Sequence, residues 1–251
     1  MFLSALIFVC TAFGAPSGDE MATMLKTVDD RAENNGDYKA MVFIEQKERD
    51  KSDLVFQAVV YRRDEADKLA ILMTKPSTEA GKGYLRADTN LFFYDPAVGK
   101  WERRTERERI GGTNSQRQDF DQSRLHLEFD PSYAGEDTLG KFTVDHLKLD
   151  VKDGVDVAYP VVELWLDQST GNVLKRQDFA LSGKLMRTTY YPKYKTLHSE
   201  TKNADVYFAE EIRIFDEIEK GRNTTVIVQE VDLSALSDSI FTKAWLESKS
   251  R

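Results

Sequence analysis

GKGYLRADTNLFFYDPAVGKWERR, residues 81–104, has the pattern of β-strands joined by a turn at Asp95–Gly99. Aromatic residues occur on both faces of the predicted strands. A half-buried hairpin normally carries polar residues on one face, because that face meets water. Apolar side chains on both faces therefore predict two apolar contacts. We expect one of them to be the protein core, and the other is a candidate ligand contact.

Beyond this hairpin, alternation with a period of two residues dominates the chain. Strand-like runs recur between Tyr38 and Val231, and hairpin turns such as Asp153-Gly154 and Ser182-Gly183 separate them. Many antiparallel strands in series, joined by short turns, predict a large meander that must curl to cover its core. We therefore predict a mainly β fold with a few helices.

Amphipathic helices are predicted on either side of the strands. Ser17–Glu20 is a capping-box sequence, and apolar residues follow it at helical spacing at Met21, Met24, Leu25 and Val28. A shorter apolar stripe near the C-terminus predicts a second helix over Asp238–Ser248. The polar segment Gln116–Leu127 is either a short helix or a loop. The methionines of the first helix suit a variable partner, but a helix that packs on the core has the same pattern.

The N-terminal residues indicate export. Met1–Ala15 is almost wholly apolar and ends in small residues, so we predict a secretory signal peptide followed by a single domain over residues 16–251. The alternative is a lipoprotein signal in which Cys10 is acylated, giving a membrane-anchored protein. Cys10 is the single cysteine, so a chain cleaved after Ala15 would contain no disulfide.

The charge distribution argues against a nucleic-acid-binding protein. The formal net charge of the chain is −8. Nucleic-acid-binding proteins instead carry an excess of Lys and Arg that is gathered on one face. A local exception runs from Lys100 to Arg117, where arginines alternate with glutamates. This run is either a solvated hairpin or a docking patch for an acidic partner or lipid head groups. The docking candidates are Arg103, Arg104, Arg107 and Arg109.

Sequence motifs of catalysis are missing from the chain. The histidines, His126, His146 and His198, lack the spacing of a zinc site, and neither a nucleophile elbow nor a P-loop occurs. We predict a protein without enzymatic activity, bound metal or cofactor.

Three segments carry a family resemblance, in order along the chain. The first runs from Lys75-Pro76 through the quoted hairpin to Arg103-Arg104, the second is Val162–Leu174, and the third is Ser239–Leu246. Together they resemble the LolA/LolB-like family of outer-membrane lipoprotein-sorting proteins. The resemblance implies a half-open antiparallel β-barrel with a helical lid.

The same resemblance implies a periplasmic carrier. Such a protein binds the acyl chains of lipoproteins, or other lipids, in a hydrophobic cavity and delivers them toward the outer membrane. Its implied partners are an inner-membrane transporter and an outer-membrane acceptor. The alternative is a non-catalytic envelope module that has a filled barrel and docks a membrane transporter.

The cavity candidates are alternating apolar residues of the predicted strands. One sequence does not determine which face of a strand points inward, and ordinary core packing is the alternative for each candidate. The predicted lining residues are Val42, Ile44, Val59, Leu85, Leu91, Phe93, Leu164, Leu166, Phe179 and Met186. The predicted lid helix contributes Met21, Met24, Leu25 and Val28.

Overall fold

The computed structural model describes residues 15–87, 90–105 and 108–250. Cys10, Arg107 and residues 1–14 of the predicted signal peptide lie outside the described residues. Among the residues that are described, none of the helices is long and apolar enough to cross a membrane.

The described residues form a long series of strands framed by helices. The helices are α1 (Gly18–Ala32), α2 (Leu125–Glu128) and α3 (Lys243–Lys249), with short 3-10 turns at Asp64–Ala66, Ile110–Gly112, Arg117–Asp119 and Asp238–Phe241. The strands are β1 (Asp37–Lys47), β2 (Leu54–Arg63), β3 (Lys68–Lys75), β4 (Gly83–Ala87), β5 (Asn90–Asp95), β6 (Lys100–Arg104), β7 (Phe129–Leu139), β8 (Phe142–Val151), β9 (Val161–Asp167), β10 (Val173–Phe179), β11 (Leu185–Ser199), β12 (Ala204–Asp216) and β13 (Asn223–Asp232).

All the strands described belong to one antiparallel sheet. Its order is β6-β5-β4-β3-β2-β1-β13-β12-β11-β10-β9-β8-β7, so the first and last strands of the chain pair at its centre. The sheet is curved and is not closed into a barrel, because β6 and β7 are its two edges. The predicted mainly β, half-open antiparallel fold with a few helices is confirmed.

The sheet has an inner face, which we define as the face covered by α1, α2 and the connecting segment 108–124. Ile110 and Phe120 of that segment pack on residues of β1 to β5, β12 and β13, such as Ile44 and Ile71. Helix α1 packs with Leu125 of α2 on residues of β7 to β10. The inner face therefore has two apolar halves, one covered by a loop segment and one by a helix.

Helix α1 begins where the sequence predicts. The Glu20 amide donates to Ser17 Oγ at 3.3 Å and the Ser17 amide donates to Glu20 Oε2 at 2.7 Å, which completes the capping box. Met21 and Leu25 are buried against the sheet, and Asp29 on the same side is also buried. The amphipathic spacing thus places one stripe of α1 on the inner face, as predicted.

The second apolar face of the 81–104 hairpin contacts the C-terminal helices of the chain. Leu85 and Ala70 pack on Leu246 of α3, and the rings of Tyr61 and Trp245 meet edge to face at 5.2 Å. A Cβ added at Gly83 would approach the Leu246 side chain at 2.8 Å, so only glycine permits this close packing. The candidate ligand contact on this face is therefore corrected: α3 covers it.

Strand β7 lacks the apolar alternation by which the sequence indicates strands. Its run FDPSYAGEDTL is mostly polar, and Phe129 is its only fully buried residue. Because β7 is an edge strand, most of its side chains meet water and its apolar alternation is weak. Helix α2 and the turn at Arg117–Asp119 resolve the open alternative for Gln116–Leu127, which contains short helical turns within a loop.

A buried ion pair ties β1 and β2 to the C-terminal segment and predicts a pH effect. Arg63 donates to the Asp37 carboxylate from Nε at 2.7 Å and Nη2 at 2.9 Å, and the Leu236 amide donates at 2.6 Å. The bonds from Arg63 are the main cause that lowers the pKa of Asp37. A carboxylate whose folded pKa is lowered stabilises the protein above its unfolded pKa of about 3.9, and the contribution is lost as the pH falls through the folded pKa.

We therefore expect Asp37→Asn to be less stable than wild type at neutral pH, with a difference that shrinks as the pH falls below about 4. Urea unfolding of both proteins across this range measures the difference. Asp53→Asn is the control, because Asp53 keeps half of its side chain exposed. A pH-independent difference for Asp37→Asn would contradict the assigned ion pair.

Candidate functional site

The half of the inner face formed by β1 to β5, β12 and β13 is filled by the chain itself. Ile110 is fully buried there, and the Gly111 amide donates to the Tyr84 hydroxyl at 3.1 Å. The Asn114 amide donates to Gln46 Oε1 at 3.1 Å and to Thr224 Oγ1 at 3.0 Å. These bonds hold the connecting segment in place across the sheet.

The other half retains an apolar cavity beneath α1, with a volume of about 160 Å³. We call it the α1 cavity. Helix α1 contributes Val28, Arg31 and Ala32 to its wall, and strands β9 to β12 contribute Leu164, Val173, Arg176, Tyr191, Tyr194, Tyr207 and Ala209. Aliphatic side chains and tyrosine rings thus form most of the wall on the sheet side.

Tyrosines give the α1 cavity a defined shape. The Tyr194 hydroxyl donates to the Val173 carbonyl at 2.7 Å, and the Arg31 guanidinium lies 3.7 Å from the centre of the Tyr207 ring. Burial raises the pKa of Tyr191 to about 12 and raises that of Tyr194 as well, so both rings stay neutral at physiological pH. Neutral rings suit contact with an apolar ligand.

A second cavity, of about 240 Å³, adjoins the first and has a polar wall. We call it the polar cavity. The two cavities share Ser123, Leu125, Arg176 and Tyr191. The polar cavity is also lined by charged side chains, namely Asp67, Arg86, Arg117, Asp119, Asp121, Arg124, Glu128 and Asp156. The interior beneath the helices is therefore apolar on one side and polar on the other.

Buried ion pairs on β10 and β11 form one wall of this interior. Asp178 is fully buried and accepts from Arg176 Nε at 2.7 Å and from Arg187 Nε at 2.6 Å. Arg187 also donates to both oxygens of Asp119, at 3.0 and 2.7 Å. Burial pushes the pKa of Asp178 upward, but the two guanidiniums outweigh it and hold the pKa below its usual value. Asp178 is thus a buried anion shared by two cations.

Two further arginines of the sheet bind the connecting segment. Arg62, which is 1% exposed, donates to the Phe120 carbonyl at 2.8 Å and to Asp64 at 3.1 Å. Arg86 pairs with Asp67 and Asp121, and burial lowers the pKa of Arg86. Arg62 and Arg86 therefore bind the connecting segment at Phe120 and Asp121, where its apolar residues end.

Asp29 connects α1 to the segment that begins α2. Its carboxylate accepts from the amides of Leu125 at 3.1 Å and His126 at 2.9 Å, and it lies 2.6 Å from His126 Nδ1. It also accepts from the Ser123 hydroxyl. Because Asp29 is buried, these bonds couple the position of α1 to that of α2. In the sequence, Asp29 is recognisable only as a carboxylate on the apolar stripe of α1, four residues after Leu25.

The chain is similar to a protein family in sequence and to several solved structures in fold. A family model described as "Uncharacterized protein" matches residues 65–248. The chain belongs to this family. No curated protein matches the chain in sequence.

Among solved structures, the chain is similar to a LolA superfamily protein from Nitrosomonas europaea, with 20% identity and a TM-score of 0.75. It is also similar to a putative outer membrane lipoprotein-sorting protein domain from Vibrio parahaemolyticus, with 16% identity and a TM-score of 0.78. A DUF1329 family protein from Desulfovibrio piger gives 15% identity and a TM-score of 0.78. Each alignment covers 92% of this chain and 100% of the other. The chain therefore has a LolA-like fold, which confirms the resemblance seen in its sequence.

In this LolA-like fold, six of the predicted lining residues are on the inner face. Val42, Ile44 and Leu91 are buried, and Phe93 is partly buried, in the half that the connecting segment fills. Leu164 and Leu166 are buried in the half beneath α1, and of the six only Leu164 lines the α1 cavity. The α1 cavity therefore contacts only one of the predicted strand residues, Leu164.

The other four predicted lining residues do not line the α1 cavity. Val59 is opposite Leu72, and Leu85 is opposite Ala70 and packs on α3. Phe179 follows the inward-facing Asp178, so alternation turns Phe179 to the outer face. Met186 lies at a β-bulge, where this alternation is interrupted.

The predicted lid residues all belong to α1. Met21 and Leu25 are buried against the sheet, whereas Met24 and Val28 are partly buried at its margins. Val28 lines the α1 cavity, and Met24 faces an open groove beside β7 and β8. The buried stripe of α1 is narrow, and its polar face meets water.

The predicted docking arginines do not form one patch. Arg103 is exposed opposite Phe92, whereas Arg104 is opposite Leu91 and therefore points to the inner side, 4.9 Å from the Phe93 ring. Arg109 donates to Asp216 at 3.0 Å. Arg107 lies outside the described residues. The alternation of β6 thus separates arginines that are adjacent in the sequence.

The histidines lie on separate elements. His126 contacts Asp29, His146 stacks on the Trp165 ring at 4.1 Å between ring centres, and His198 lies 3.2 Å from Asp205. Within the described residues, no group of three or more His, Cys, Asp or Glu side chains is arranged to hold a metal ion.

Proposed function

We propose that this protein is a non-catalytic periplasmic carrier that binds the acyl chain of a lipoprotein or another lipid in the α1 cavity. The observation that carries the proposal is the amphipathic helix α1 lying over an apolar cavity on the inner face of a LolA-like sheet. Acyl chains need an apolar space shielded from water, and a helix that covers such a space permits loading and release.

The size of the cavity suggests that α1 moves when ligand binds. The cavity measures about 160 Å³, whereas ligand pockets usually measure about 300–1,000 Å³. Helix α1 buries only Met21, Leu25 and Asp29, so an outward shift exposes few apolar side chains but must also break the hydrogen bonds of Asp29 or move α2 with α1. Each methylene that enters contributes about 0.8 kcal/mol, which is enough over an acyl chain to offset the loss of these contacts.

The proposed carrier function also implies a cellular location and partner proteins. The apolar residues 1–15 would direct export and be removed, or Cys10 would be acylated to anchor the protein. A carrier needs a donor and an acceptor, which we propose to be an inner-membrane transporter and an outer-membrane protein. The exposed Arg103 on edge strand β6 is more accessible than Arg104 and Arg109, the other docking arginines that the structure describes.

The alternative function is an envelope interaction module without a lipid ligand. It is favoured by the connecting segment, which fills half of the inner face with Ile110 and Phe120. A module of this kind keeps α1 packed in all its states. The two functions therefore differ in whether apolar ligands occupy the space beneath α1.

Filling the cavity distinguishes these functions. We expect Val173→Trp to weaken acyl-chain binding by about tenfold or more, because a larger side chain occupies the space of roughly two to three ligand methylenes. The measurement is native mass spectrometry of the detergent-free protein, with titration of a fluorescent fatty acid.

The matched control is Val161→Trp, which adds the same group on the outer face of the neighbouring strand. We expect it to leave binding unchanged. If the wild type neither co-purifies with lipid nor binds the probe, the carrier proposal fails and the interaction module is supported. Equal loss of binding in both variants would place the ligand outside the α1 cavity.

A further inference from the structure

Arg176 lies where the α1 cavity meets the polar cavity. It projects from β10 to the inner face, in register with Leu164 of β9 and Thr189 of β11. Its side chain lines both cavities. A cation at this boundary can contact the polar head group of a ligand whose apolar chain lies in the α1 cavity.

The hydrogen bonds of Arg176 leave part of its guanidinium available. Its Nε donates to Asp178, and no hydrogen bond to either terminal nitrogen occurs among the described residues. These nitrogens are not enclosed by protein, because the side chain is 18% exposed. The two cavities supply the space next to it, so the fork of the guanidinium faces a volume that a ligand can occupy.

Two carboxylates of the polar cavity are paired without Arg176, and a third, Asp156, is exposed to solvent. Asp119 is held by both terminal nitrogens of Arg187, and Asp121 is paired with Arg86 and Arg117. Asp178 keeps Arg187 as a partner when Arg176 binds a ligand. Glu128 also lines the polar cavity and has its own partner, Arg124, at 3.7 Å. A bound anion can therefore pair with Arg176 without breaking another ion pair.

Guanidinium groups bind carboxylate and phosphate through two parallel hydrogen bonds. We propose that Arg176 recognises the head group of the ligand, and that the preferred ligand is an anionic amphiphile. Its carboxylate or phosphate binds the terminal nitrogens of Arg176, and its acyl chain lies in the α1 cavity against Leu164 and Val173. This inference rests on the proposed carrier function and adds the chemical class of the ligand.

The test compares ligands that differ only in the head group. Palmitic acid and hexadecanol form one pair, and phosphatidic acid and diacylglycerol with the same acyl chains form the other. We expect the wild type to bind the anionic member of at least one pair about tenfold or more tightly, as charge-assisted hydrogen bonds predict. The pair with the larger ratio identifies the source of the anion as a carboxylate or a phosphate.

Substitutions then assign the preference to Arg176. Arg176→Gln should remove the preference by weakening the anionic ligand about tenfold or more, while the neutral ligand binds as before. Arg176→Lys keeps the charge without the fork and should restore part of the preference. The control is Arg213→Gln, because Arg213 lines neither cavity and keeps half of its side chain exposed, and we expect it to keep the preference. Thermal unfolding checks that each variant is folded.

The outcomes separate this inference from the carrier proposal. Equal binding of acid and neutral ligand by the wild type overturns the head-group role and leaves the carrier intact. An Arg176→Gln variant that loses both ligands equally assigns Arg176 a structural role and also overturns it. Failure of the wild type to bind any of the four amphiphiles overturns the carrier proposal itself.

Discussion

Replacing Asp178 with alanine is expected to lower the free energy of unfolding by about 3–5 kcal/mol, the usual effect of removing one partner from a buried ion pair. Asp178 is fully buried and is the shared acceptor of Arg176 and Arg187. Its loss leaves Arg176 without an ionic partner and Arg187 with Asp119 alone. Urea unfolding at neutral pH, followed by circular dichroism, measures the change.

The control for this variant is Asp205→Ala, because Asp205 is half exposed and pairs only with His198. We expect that change to stay within about 0.5 kcal/mol of wild type, as is usual for surface sites. A loss below about 1 kcal/mol for Asp178→Ala would show that water or a rearranged side chain compensates the two arginines, contrary to the buried ion pairs described above.

Replacing Leu246 with alanine is expected to lower the free energy of unfolding by about 2–5 kcal/mol, because a buried leucine is lost and a cavity remains. Leu246 is fully buried between α3 and the outer face of β3 and β4, where it contacts Ala70, Leu85 and Gly83. Thermal and urea unfolding both measure the effect.

Leu181→Ala is the matched control, because Leu181 is 86% exposed in the turn between β10 and β11. We expect it to change stability by at most about 0.5 kcal/mol. If Leu246→Ala were equally mild, α3 would contribute little to the fold, and the outer face of the hairpin would again be open to another contact. The two leucines thus test the assignment of that face to α3.

Several features of the fold were predictable because they depend on residues close together in the chain. The capping box at Ser17 and the apolar spacing to Val28 specify α1, because both arise within one helix. The turn at Asp95–Gly99 and the alternation around it specify the hairpin of β5 and β6. The repeated hairpin pattern also indicates the antiparallel meander, since short turns join only antiparallel neighbours.

The candidate site was predictable only in part. Leu164 and Val28 were recognised as apolar residues of a strand and a helix, and both line the α1 cavity. Arg176 and Asp178 carry no signal in the sequence, because charged residues two apart on a strand are usually solvated. Their burial depends on Arg187 of the next strand and on Asp119 of a distant segment.

The sequence alone established where α1 begins, where the hairpin turns lie, and that many alternating antiparallel strands follow one another. The tertiary structure decided which of the two alternating rows points inward, as Leu85 and Leu91 show by lying on opposite faces. Alternation with a period of two is the same for both rows, so the choice depends on what covers each face. Here α3 covers one face, while α1 and the connecting segment cover the other, and these contacts form only when distant parts of the chain meet.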